Sequence, residues 1–552
     1  MGKREQTITI SILLIISIIS FLPTNLLTSP AIASDDWSLI VAPYAFGELK
    51  PFDLTNHRPT DSSFYYVMTS IFGLNFEYYY LLNVLIIFLS SVMIYTLTKR
   101  MFGQQTWLAS LAALVYLIYP VDYTRTWIMM LYIRFWWLIS LAAIWFLLDF
   151  VASGNKWKLA LALTGFIIPL GAYEGQFGVV ATAAFLIAAV SNDKPIARRL
   201  ILIGSIIIIG IAFYLWRFHI QANIADIRYY SAGSFQFNPA ALIERYLQGF
   251  DIFLSKWAAP LKIKPDSSGV QILIWALFYI TICFFITLLA SQKNAPTTKL
   301  LPKHKLPMLK AQFVLFLTGG VFWLAGYFPI IGLYNPSLNG HASRVNSFAI
   351  AGAALVLTAF VAIFSTALAR SIPQIRPFAV AIIAPFILAG IFIQMQVNVE
   401  NQATWETQRE IWNGTFETIP NIQDKKGLVI IIPGYEKSHA FSIYPFSTAW
   451  EVDSGAKVLY NNQDINGYFY YKDLQDQQFE FKNNGVIPPG SERIIGYKRL
   501  IFVLYHPNEN RVELVQNLEE TLSLPLPVNN YTPQENIVPE QPSTADWRWL
   551  VQ

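Results

Sequence analysis

Long apolar segments separated by short polar ones run through the first 395 residues of the chain. A helix that crosses a bilayer needs about 17 to 25 mostly apolar residues, and this pattern predicts about eleven such spans. The three that begin at Trp107, Leu159 and Phe177 are short, so we expect them to be kinked, paired as tight hairpins or extended by flanking residues. The predicted spans are residues 7–27, 78–97, 107–119, 128–150, 159–173, 177–190, 200–216, 270–290, 313–333, 348–368 and 378–395.

The composition agrees with a membrane protein. Of the 552 residues, 54% are hydrophobic and only 13% are charged, more apolar surface than one soluble core can bury. The sequence therefore predicts a polytopic α-helical membrane protein. The net charge of +4 is small for this length, so no nucleic-acid-binding signature is present. The single cysteine, Cys283, excludes an intramolecular disulfide and a thiolate metal cluster.

Lysine and arginine collect in alternate connections between the predicted spans, beginning with residues 3–4. Because basic residues favour the cytoplasmic side, this pattern predicts a cytoplasmic amino terminus and a carboxyl-terminal part outside the cell membrane. The short loops on the opposite side hold only Arg125 and Arg344, apart from Lys50 and Arg58 in the first loop. These exceptions are candidates for function.

The first apolar segment has two interpretations. It could be a signal peptide, because two basic residues precede it and the small residues "AIA" stand before Ser34. It could instead be an uncleaved anchor, which its length of about 20 residues favours over the usual 7 to 15 of signal peptides. Cleavage would leave every later span oriented as before.

Two predicted outer loops are rich in aromatic residues, at 28–77 and 217–269. Aromatic rings settle at membrane interfaces, so we expect both loops to lie there. In the second loop, apolar residues recur at helical spacing between 242 and 257. This pattern predicts an amphipathic helix, either interfacial or serving as a packing strut.

Beyond residue 395 the composition becomes polar and rich in Pro, Asn and Gln. The chain is therefore predicted to divide into a transmembrane domain, 1–395, and an extracytoplasmic α+β domain, 396–552, with a disordered tail after about 526. No phosphate loop, zinc-ligand spacing or nucleophile elbow occurs in this part. The predicted elements are strands at 427–435, 457–462 and 499–506 and a helix at 512–522.

Charged residues gather at the outer mouths of the predicted spans. Such residues are costly near a bilayer and are therefore functional candidates. Arg134 lies a turn or two inside the fourth span, and the cytoplasmic mouths offer only Lys and Arg. The outer mouths carry Asp35 and Asp36, "NHRPTD" at 56–61, "YPVDYTRTW" at 119–127, "YEGQ" at 173–176, "WRFH" at 216–219 and "NGHASRVN" at 339–346.

Carboxylates with Arg and His at the outer edge of a membrane suit a substrate that carries a phosphate on a lipid tail. Sugar transfer from a polyprenyl phosphate needs a base for the acceptor's proton and positive charge for the departing phosphate. Aspartate can supply the base, and arginine or a carboxylate-bound divalent metal ion (Mg, Mn or Zn) can hold the phosphate. This arrangement favours a single inverting displacement.

With these features the chain resembles the GT-C superfamily of integral membrane glycosyltransferases. That superfamily includes protein mannosyltransferases, aminoarabinose transferases of lipid A and oligosaccharyltransferases. The resemblance covers residues 7–395. It rests on "SDDW" after the first span, the large first loop, "HRPT" at 57–60, the short paired spans and the trailing outer domain. It implies a polyprenyl-phosphate-linked sugar as donor and a lipid, glycan or protein as acceptor.

The resemblance also implies roles for particular acidic residues. An acidic residue of the first loop acts in the family as catalytic base or metal ligand, a role that Asp35 or Asp36 would take by position. Asp122, at the outer end of the third span, would match a metal ligand of some members. The chain lacks a "WWDYG"-like motif, which disfavours transfer of a preassembled glycan to asparagine.

The remaining site candidates would bind substrate, and each has a plainer interpretation. Arg58, Arg125 and Arg344 are predicted to meet phosphate, although Arg58 could extend to lipid headgroups instead. Glu174 could bind substrate or cap the adjacent helix. His341 could bind substrate or make an interfacial hydrogen bond. The Asp35–Asp36 pair itself could be a solvated cap of a helix that begins at Trp37.

Two other function classes compete with an enzyme. A flippase or transporter of polyprenyl lipids or polysaccharide would also need buried arginines and acids, but such proteins usually have repeated halves and polar groups at the membrane midplane. The sequence has no obvious internal repeat, and its charged residues stop near one edge. A scaffold that displays the outer domain would tolerate loss of the acids. The sequence favours the glycosyltransferase.

Overall fold

A computed structural model describes most of the chain. The predicted span 270–290, His57 and residues 217–237 lie outside the described residues. The described residues are 2–23, 31–32, 35–51, 58–102, 106–190, 196–216, 238–256, 308–331, 334–371, 375–433, 443–471, 479–489, 491, 493–524, 527–539 and 547–551.

Helices make up the first part of the chain. Short 3₁₀ segments fill several of the connections, at Tyr123–Thr126, Ile128–Met130, Glu174–Gln176 and Gly340–Asn346. The α-helices are α1 (Gly2–Phe21), α2 (Ala42–Ala45), α3 (Pro59–Phe72), α4 (Phe76–Phe102), α5 (Thr106–Ile118), α6 (Leu131–Ser153), α7 (Lys156–Leu170), α8 (Phe177–Val190), α9 (Ile196–Leu215), α10 (Pro239–Asp251), α11 (Met308–Ile331), α12 (Ala349–Ser371) and α13 (Ile375–Thr418).

Each predicted apolar segment within the described residues coincides with one of these helices. Two described helices are long and apolar enough by themselves to cross a bilayer, Phe76–Met101 and Ile128–Ser153. The predicted number of eleven spans is therefore not confirmed. Shorter apolar helices of 10–17 residues occur at Glu5–Phe21, Thr106–Ile118, Phe177–Ile187, Leu202–Phe213, Gln312–Phe328 and Ala349–Phe364.

The outer faces of several helices expose large apolar side chains. On α4, Leu81, Leu85 and Leu89 follow one another at four-residue spacing and are all exposed. On α11, Phe313 and Leu317 are exposed in the same way. Soluble monomers rarely expose contiguous apolar surface of this kind, so these faces are suited to a lipid surrounding.

Helices α11 and α12 pack backbone against backbone at glycines. A Cβ atom placed on Gly319 would lie 2.7 Å from the backbone nitrogen of Val356, and one on Gly352 would collide with the backbone of Trp323. Close approach through small residues is typical of helix pairs in membranes. A side chain at either glycine would force the two helices apart.

The predicted first loop, 28–77, contains regular structure. A π-helical turn at Trp37–Val41 leads into α2, and α3 follows. Helix α3 begins at Pro59, where the missing backbone N–H costs nothing. It ends at Gly73, whose φ of +58° is a conformation that L side chains rarely adopt. The described parts of this loop are therefore folded.

Helix α13 joins the apolar and polar parts of the chain. Its 44 residues correspond to a length of about 66 Å at 1.5 Å per residue. The predicted domain boundary at 395 lies inside this helix. The composition changes there from apolar to polar, but the polar half is rich in Gln and Glu, which continue a helix well.

A strand-containing region follows α13. In its main sheet, β2 pairs in parallel with β3 and β7, and β8 pairs antiparallel to β7, giving the order β3-β2-β7-β8. Every residue of β2 is buried, as expected for a central strand of a parallel sheet. The elements are β1 (Asn421–Ile422), β2 (Gly427–Ile432), α14 (Ala449–Leu459), β3 (Asn466–Tyr471), β4 (Glu480–Lys482), β5 (Gly485–Ile487), β6 (Ile495–Gly496), β7 (Leu500–His506), β8 (Arg511–Leu514), α15 (Leu518–Leu522) and β9 (Ile537–Val538).

The strands predicted at 427–435 and 499–506 are confirmed as β2 and β7. The strand predicted at 457–462 is wrong, because these residues include the end of α14. The buried residues Val452, Ala456 and Leu459 follow helical spacing, which fixes that element as a helix. The helix predicted at 512–522 is instead β8 followed by α15.

Part of the predicted disordered tail is folded against α13. The Val551 carbonyl accepts hydrogen bonds from Arg409 Nε at 2.9 Å and from Asn413 Nδ2 at 3.1 Å. Arg548 donates to the Pro420 carbonyl at 2.6 Å, and Leu550 and Val551 are buried. The end of the described chain therefore stabilises the junction between α13 and the strand-containing region.

Candidate functional site

Asp35 and Asp36 form a turn that leads into the helical segment Trp37–Val41. The Asp35 carbonyl accepts hydrogen bonds from the backbone N–H groups of Ser38, at 3.1 Å, and Leu39, at 2.8 Å. Asp36 has helical backbone angles, and its side chain makes no capping hydrogen bond and is completely buried. The alternative of a solvated helix cap therefore does not describe Asp36. Together the two residues are called the acidic turn.

The buried carboxylate of Asp36 interacts electrostatically with the hydroxyl groups of three tyrosines, Tyr65 on α3 and Tyr79 and Tyr80 on α4. The Tyr65 hydroxyl donates a 2.6 Å hydrogen bond to the Met129 carbonyl. The negative charge of Asp36 is therefore felt by tyrosines of two helices.

The strand-containing region contacts the other aspartate. Asp35 is half-exposed, and the indole N–H of Trp450 donates a hydrogen bond to its carboxylate. Helix α14, which carries Trp450, packs on the segment after the acidic turn: a Cβ atom on Gly455 would lie 3.0 Å from the Trp412 ring and 3.6 Å from the Trp37 ring. The acidic turn thus lies where the helical part meets the strand-containing region.

Arg58 and Asp61, at the start of α3, also interact with tyrosines. Arg58 donates a 2.9 Å hydrogen bond to the Tyr132 hydroxyl, and its guanidinium carbon lies 4.4 Å from the centre of the Tyr173 ring. Asp61 is buried and interacts electrostatically with Tyr65, whose ring is 5.7 Å from that of Tyr132. The first loop therefore brings two carboxylates and one arginine around a single tyrosine pair.

Asp122 organises the connection between α5 and α6. One of its oxygens accepts hydrogen bonds from the backbone N–H of Thr124, at 2.9 Å, and from the Thr124 hydroxyl, at 2.6 Å. Its other oxygen accepts a hydrogen bond from the Ser347 hydroxyl. The Asp122 side chain is only 3% exposed. Both of its carboxylate oxygens therefore accept hydrogen bonds within the protein.

Arg125 is buried beneath that connection. Its guanidinium donates to the carbonyls of Tyr116, at 3.2 Å, and Leu117, at 2.6 Å, and lies 4.9 Å from the centre of the Phe21 ring. These carbonyls belong to the last turn of α5, where a positive charge is favourable. In this position Arg125 acts as a helix cap.

Arg134 closes the same connection from α6. It donates to the Thr124 carbonyl at 2.6 Å, to the Trp127 carbonyl at 3.0 Å and to the side-chain oxygen of Asn83 on α4. It also interacts electrostatically with Tyr65 and Asp122. Arg134 therefore links the tyrosines near the acidic turn to the Asp122 connection.

The two predicted mouths 119–127 and 339–346 are brought together. The Ser343 hydroxyl accepts a 2.9 Å hydrogen bond from the backbone N–H of Tyr123, and Asn346 Nδ2 donates to the Val121 carbonyl at 2.6 Å. Arg344 is half-buried in the same turn. The turn thus places Arg344 beside the connection that Asp122 organises.

Two predicted site residues are described only in their backbone. Glu174 begins the short 3₁₀ helix Glu174–Gln176, and His341 lies in the segment Gly340–Asn346. Their side chains lie outside what the structure describes. Both residues stay predictions.

The described residues do not fit the predicted divalent metal site. Among them, no three His, Cys, Asp or Glu side chains come together as a ligand set. Asp122, the predicted metal ligand, already accepts hydrogen bonds from Thr124 and Ser347. The metal ion therefore stays a prediction.

Sequence reasoning did not assign site roles to Asp61 and Trp450. Asp61 closes the "NHRPTD" mouth, so its position was visible in the sequence. Trp450 stands 415 residues from Asp35, and no local pattern could pair the two. Only the packing of α14 against the first loop shows that contact.

No protein-family model matches the chain, and no curated protein matches it. Among solved structures, it is similar to the oligosaccharyltransferase of Archaeoglobus fulgidus, crystallised with zinc and sulfate, at 12% sequence identity and a TM-score of 0.40. The match covers 82% of this chain and 61% of that protein. Values at these levels leave the function to be inferred from the site itself.

Proposed function

We propose that the chain is an integral membrane glycosyltransferase. It would move one sugar, with inversion, from a polyprenyl-phosphate donor to a hydroxyl of a lipid, glycan or protein on the outer side of the cytoplasmic membrane. The observation that carries this proposal is the acidic turn: Asp36 is fully buried, and Asp35 is half-exposed at the junction of the two parts of the chain. Fixed carboxylates at such a junction suit acid–base chemistry.

The apolar outer faces of the helices support a membrane location. Large apolar side chains are exposed on α4, which carries leucines, and on α11, which carries a phenylalanine and a leucine. Their exposure would be unfavourable in water and favourable against lipid chains. A membrane enzyme can take a donor whose tail stays in the bilayer while its phosphate and sugar lie at the surface. In the proposed arrangement, the reacting bond would lie near the acidic turn.

Asp35 is the better placed of the two aspartates to act as base, because it is half-exposed while Asp36 is buried. In the proposed reaction, Asp35 takes the proton of the acceptor hydroxyl as its oxygen attacks C1 of the sugar. The bond between C1 and the phosphate oxygen breaks, and polyprenyl phosphate leaves with the electron pair. Asp36 would stabilise the positive charge that develops on the sugar ring.

Arg58 and Arg344 are the proposed ligands of the departing phosphate. Both are half-buried, and guanidinium groups bind phosphate through paired hydrogen bonds. Arg125 has a structural role instead, because its guanidinium donates hydrogen bonds to the carbonyls of Tyr116 and Leu117. Glu174 and His341 remain candidate substrate contacts from the neighbouring turns.

The proposal is tested with the purified full-length chain in vesicles. Synthetic short-chain polyprenyl phosphates, each carrying one hexose or pentose, are supplied with lipids extracted from the host membrane as acceptors. Formation of free polyprenyl phosphate, followed by mass spectrometry, is the expected result with at least one donor. Thermal stabilisation by the same donor would show that it binds.

A carrier would behave differently in the same vesicles. It would move the intact donor between leaflets, and no sugar–phosphate bond would break. Translocation of donor with no release of polyprenyl phosphate would overturn the transferase proposal. Binding of none of the donors would also count against it.

A further inference from the structure

A narrow cavity lies between helices α4, α5, α6 and α12, behind the connection that carries Asp122. Its volume is about 30 Å³, more than one water molecule requires. Its polar lining consists of Ser90, Tyr116, Asp122, Arg125, Arg134, Trp137 and Ser347. None of the proposed chemistry uses this space.

Two hydrogen-bond donors in the lining lack a well-formed bond. Within the described part of the chain, the Ser90 hydroxyl and the Trp137 indole nitrogen are buried and make no hydrogen bond of normal geometry. Both face the Tyr116 hydroxyl, but only in contacts outside that geometry. Burying a donor without a well-placed acceptor costs free energy, so a better acceptor in the cavity would stabilise the protein.

The charged groups of the lining leave an excess of positive charge. The guanidinium groups of Arg125 and Arg134 lie close enough to repel each other. Their hydrogen bonds go to carbonyl and amide oxygens, which carry no net charge. Asp122 is the carboxylate of the lining and balances only one of them.

We propose that this cavity binds one monovalent inorganic anion of halide size, such as chloride. The indole N–H of Trp137 and the hydroxyl of Ser90 would donate to it, and Arg125 and Arg134 would supply the attractive field. A water molecule would satisfy the donors but leave the excess charge unbalanced. The anion would hold α4, α5 and α6 together behind the candidate site. Its binding does not depend on the proposed function.

The test compares thermal unfolding of the full-length chain in sodium chloride, bromide and gluconate at equal ionic strength, so that screening is the same. Chloride and bromide should raise the midpoint over gluconate by about 1–3 °C. Trp137→Phe and Ser90→Ala should abolish this difference. The matched controls are Trp136→Phe and Ser91→Ala, which change neighbours that do not line the cavity and should keep it.

Equal midpoints in all three salts would overturn the proposal and leave the cavity to water. A halide effect that survives both Trp137→Phe and Ser90→Ala would overturn it as well, because the ion would then bind elsewhere. If either variant fails to fold, crystals of the unmodified protein soaked in bromide decide the matter. An anomalous peak in the cavity supports the proposal, and water density there contradicts it.

Discussion

The Ser347 hydroxyl donates a hydrogen bond to the Asp122 carboxylate across 225 residues of sequence. This hydrogen bond links the turn before α12 to the connection between α5 and α6. Arg134 secures the same connection from α6 through the Thr124 carbonyl. Polar contacts therefore link the ends of several helices next to the candidate site.

Ser347→Ala should destabilise the protein by about 1–3 kcal/mol, because it removes a donor from a buried carboxylate. Thermal unfolding in detergent micelles measures the loss. Ser153→Ala is the control, since Ser153 is exposed and its hydroxyl makes local hydrogen bonds, to the Asp149 carbonyl and from the Asn155 N–H. Equal stability of the two variants would show that the Asp122 contact contributes nothing.

Arg125→Gln should destabilise the protein by about 2–4 kcal/mol, because the carbonyls of Tyr116 and Leu117 would lose a buried charged donor. The same unfolding assay measures this. A variant as stable as the unmodified protein would remove the structural role assigned to this arginine.

Arg344→Gln should lower the affinity for a polyprenyl-phosphate sugar about tenfold or more, because a charge-assisted contact to the phosphate is lost. Titration of the purified variant with the donor measures the affinity. Unchanged affinity in both Arg344→Gln and Arg58→Gln would remove the phosphate-binding assignment.

Trp450→Phe should lower the rate of transfer about tenfold and leave donor affinity unchanged, because it removes the indole N–H from the Asp35 carboxylate and keeps an aromatic ring. Steady-state kinetics separate the two quantities. Trp549→Phe changes another exposed tryptophan and serves as the control. Equal rates in the two variants would count against a role for this contact.

The predicted orientation can be read by chemical labelling of intact cells. In a Cys283→Ser background, cysteine at Asn484, exposed in the strand-containing region, should react with a membrane-impermeant maleimide. Cysteine at Ser153, exposed at the end of α6, should react only after the cells are opened. The reverse pattern would invert the topology.

The sequence predicted the helices well because apolar runs are strong local signals. It predicted β2 and β7 for the same reason, since buried central strands are continuous apolar runs. It missed α14, whose apolar residues Val452, Ala456 and Leu459 have helical spacing within a short polar segment. Local composition also placed a boundary at 395, where α13 continues without interruption.

The site was predictable only in part. The acidic turn and the mouths 119–127 and 339–346 stood out as polar residues beside apolar runs, and the structure brings the two mouths together. The difference between Arg125 as a helix cap and Arg344 as a half-buried side chain depends on tertiary packing. No spacing rule in the sequence could distinguish them.

In the proposed function, the carboxylates of the acidic turn catalyse sugar transfer. Its most direct test is the release of polyprenyl phosphate by Asp35→Asn and Asp36→Asn in vesicles, beside Asp424→Asn as a control on the exposed surface. We expect the control to match the unmodified protein and Asp35→Asn to lose at least about a hundredfold in rate, the usual contribution of a general base. Near-normal release by both acidic-turn variants, with normal insertion and stability, would contradict the account.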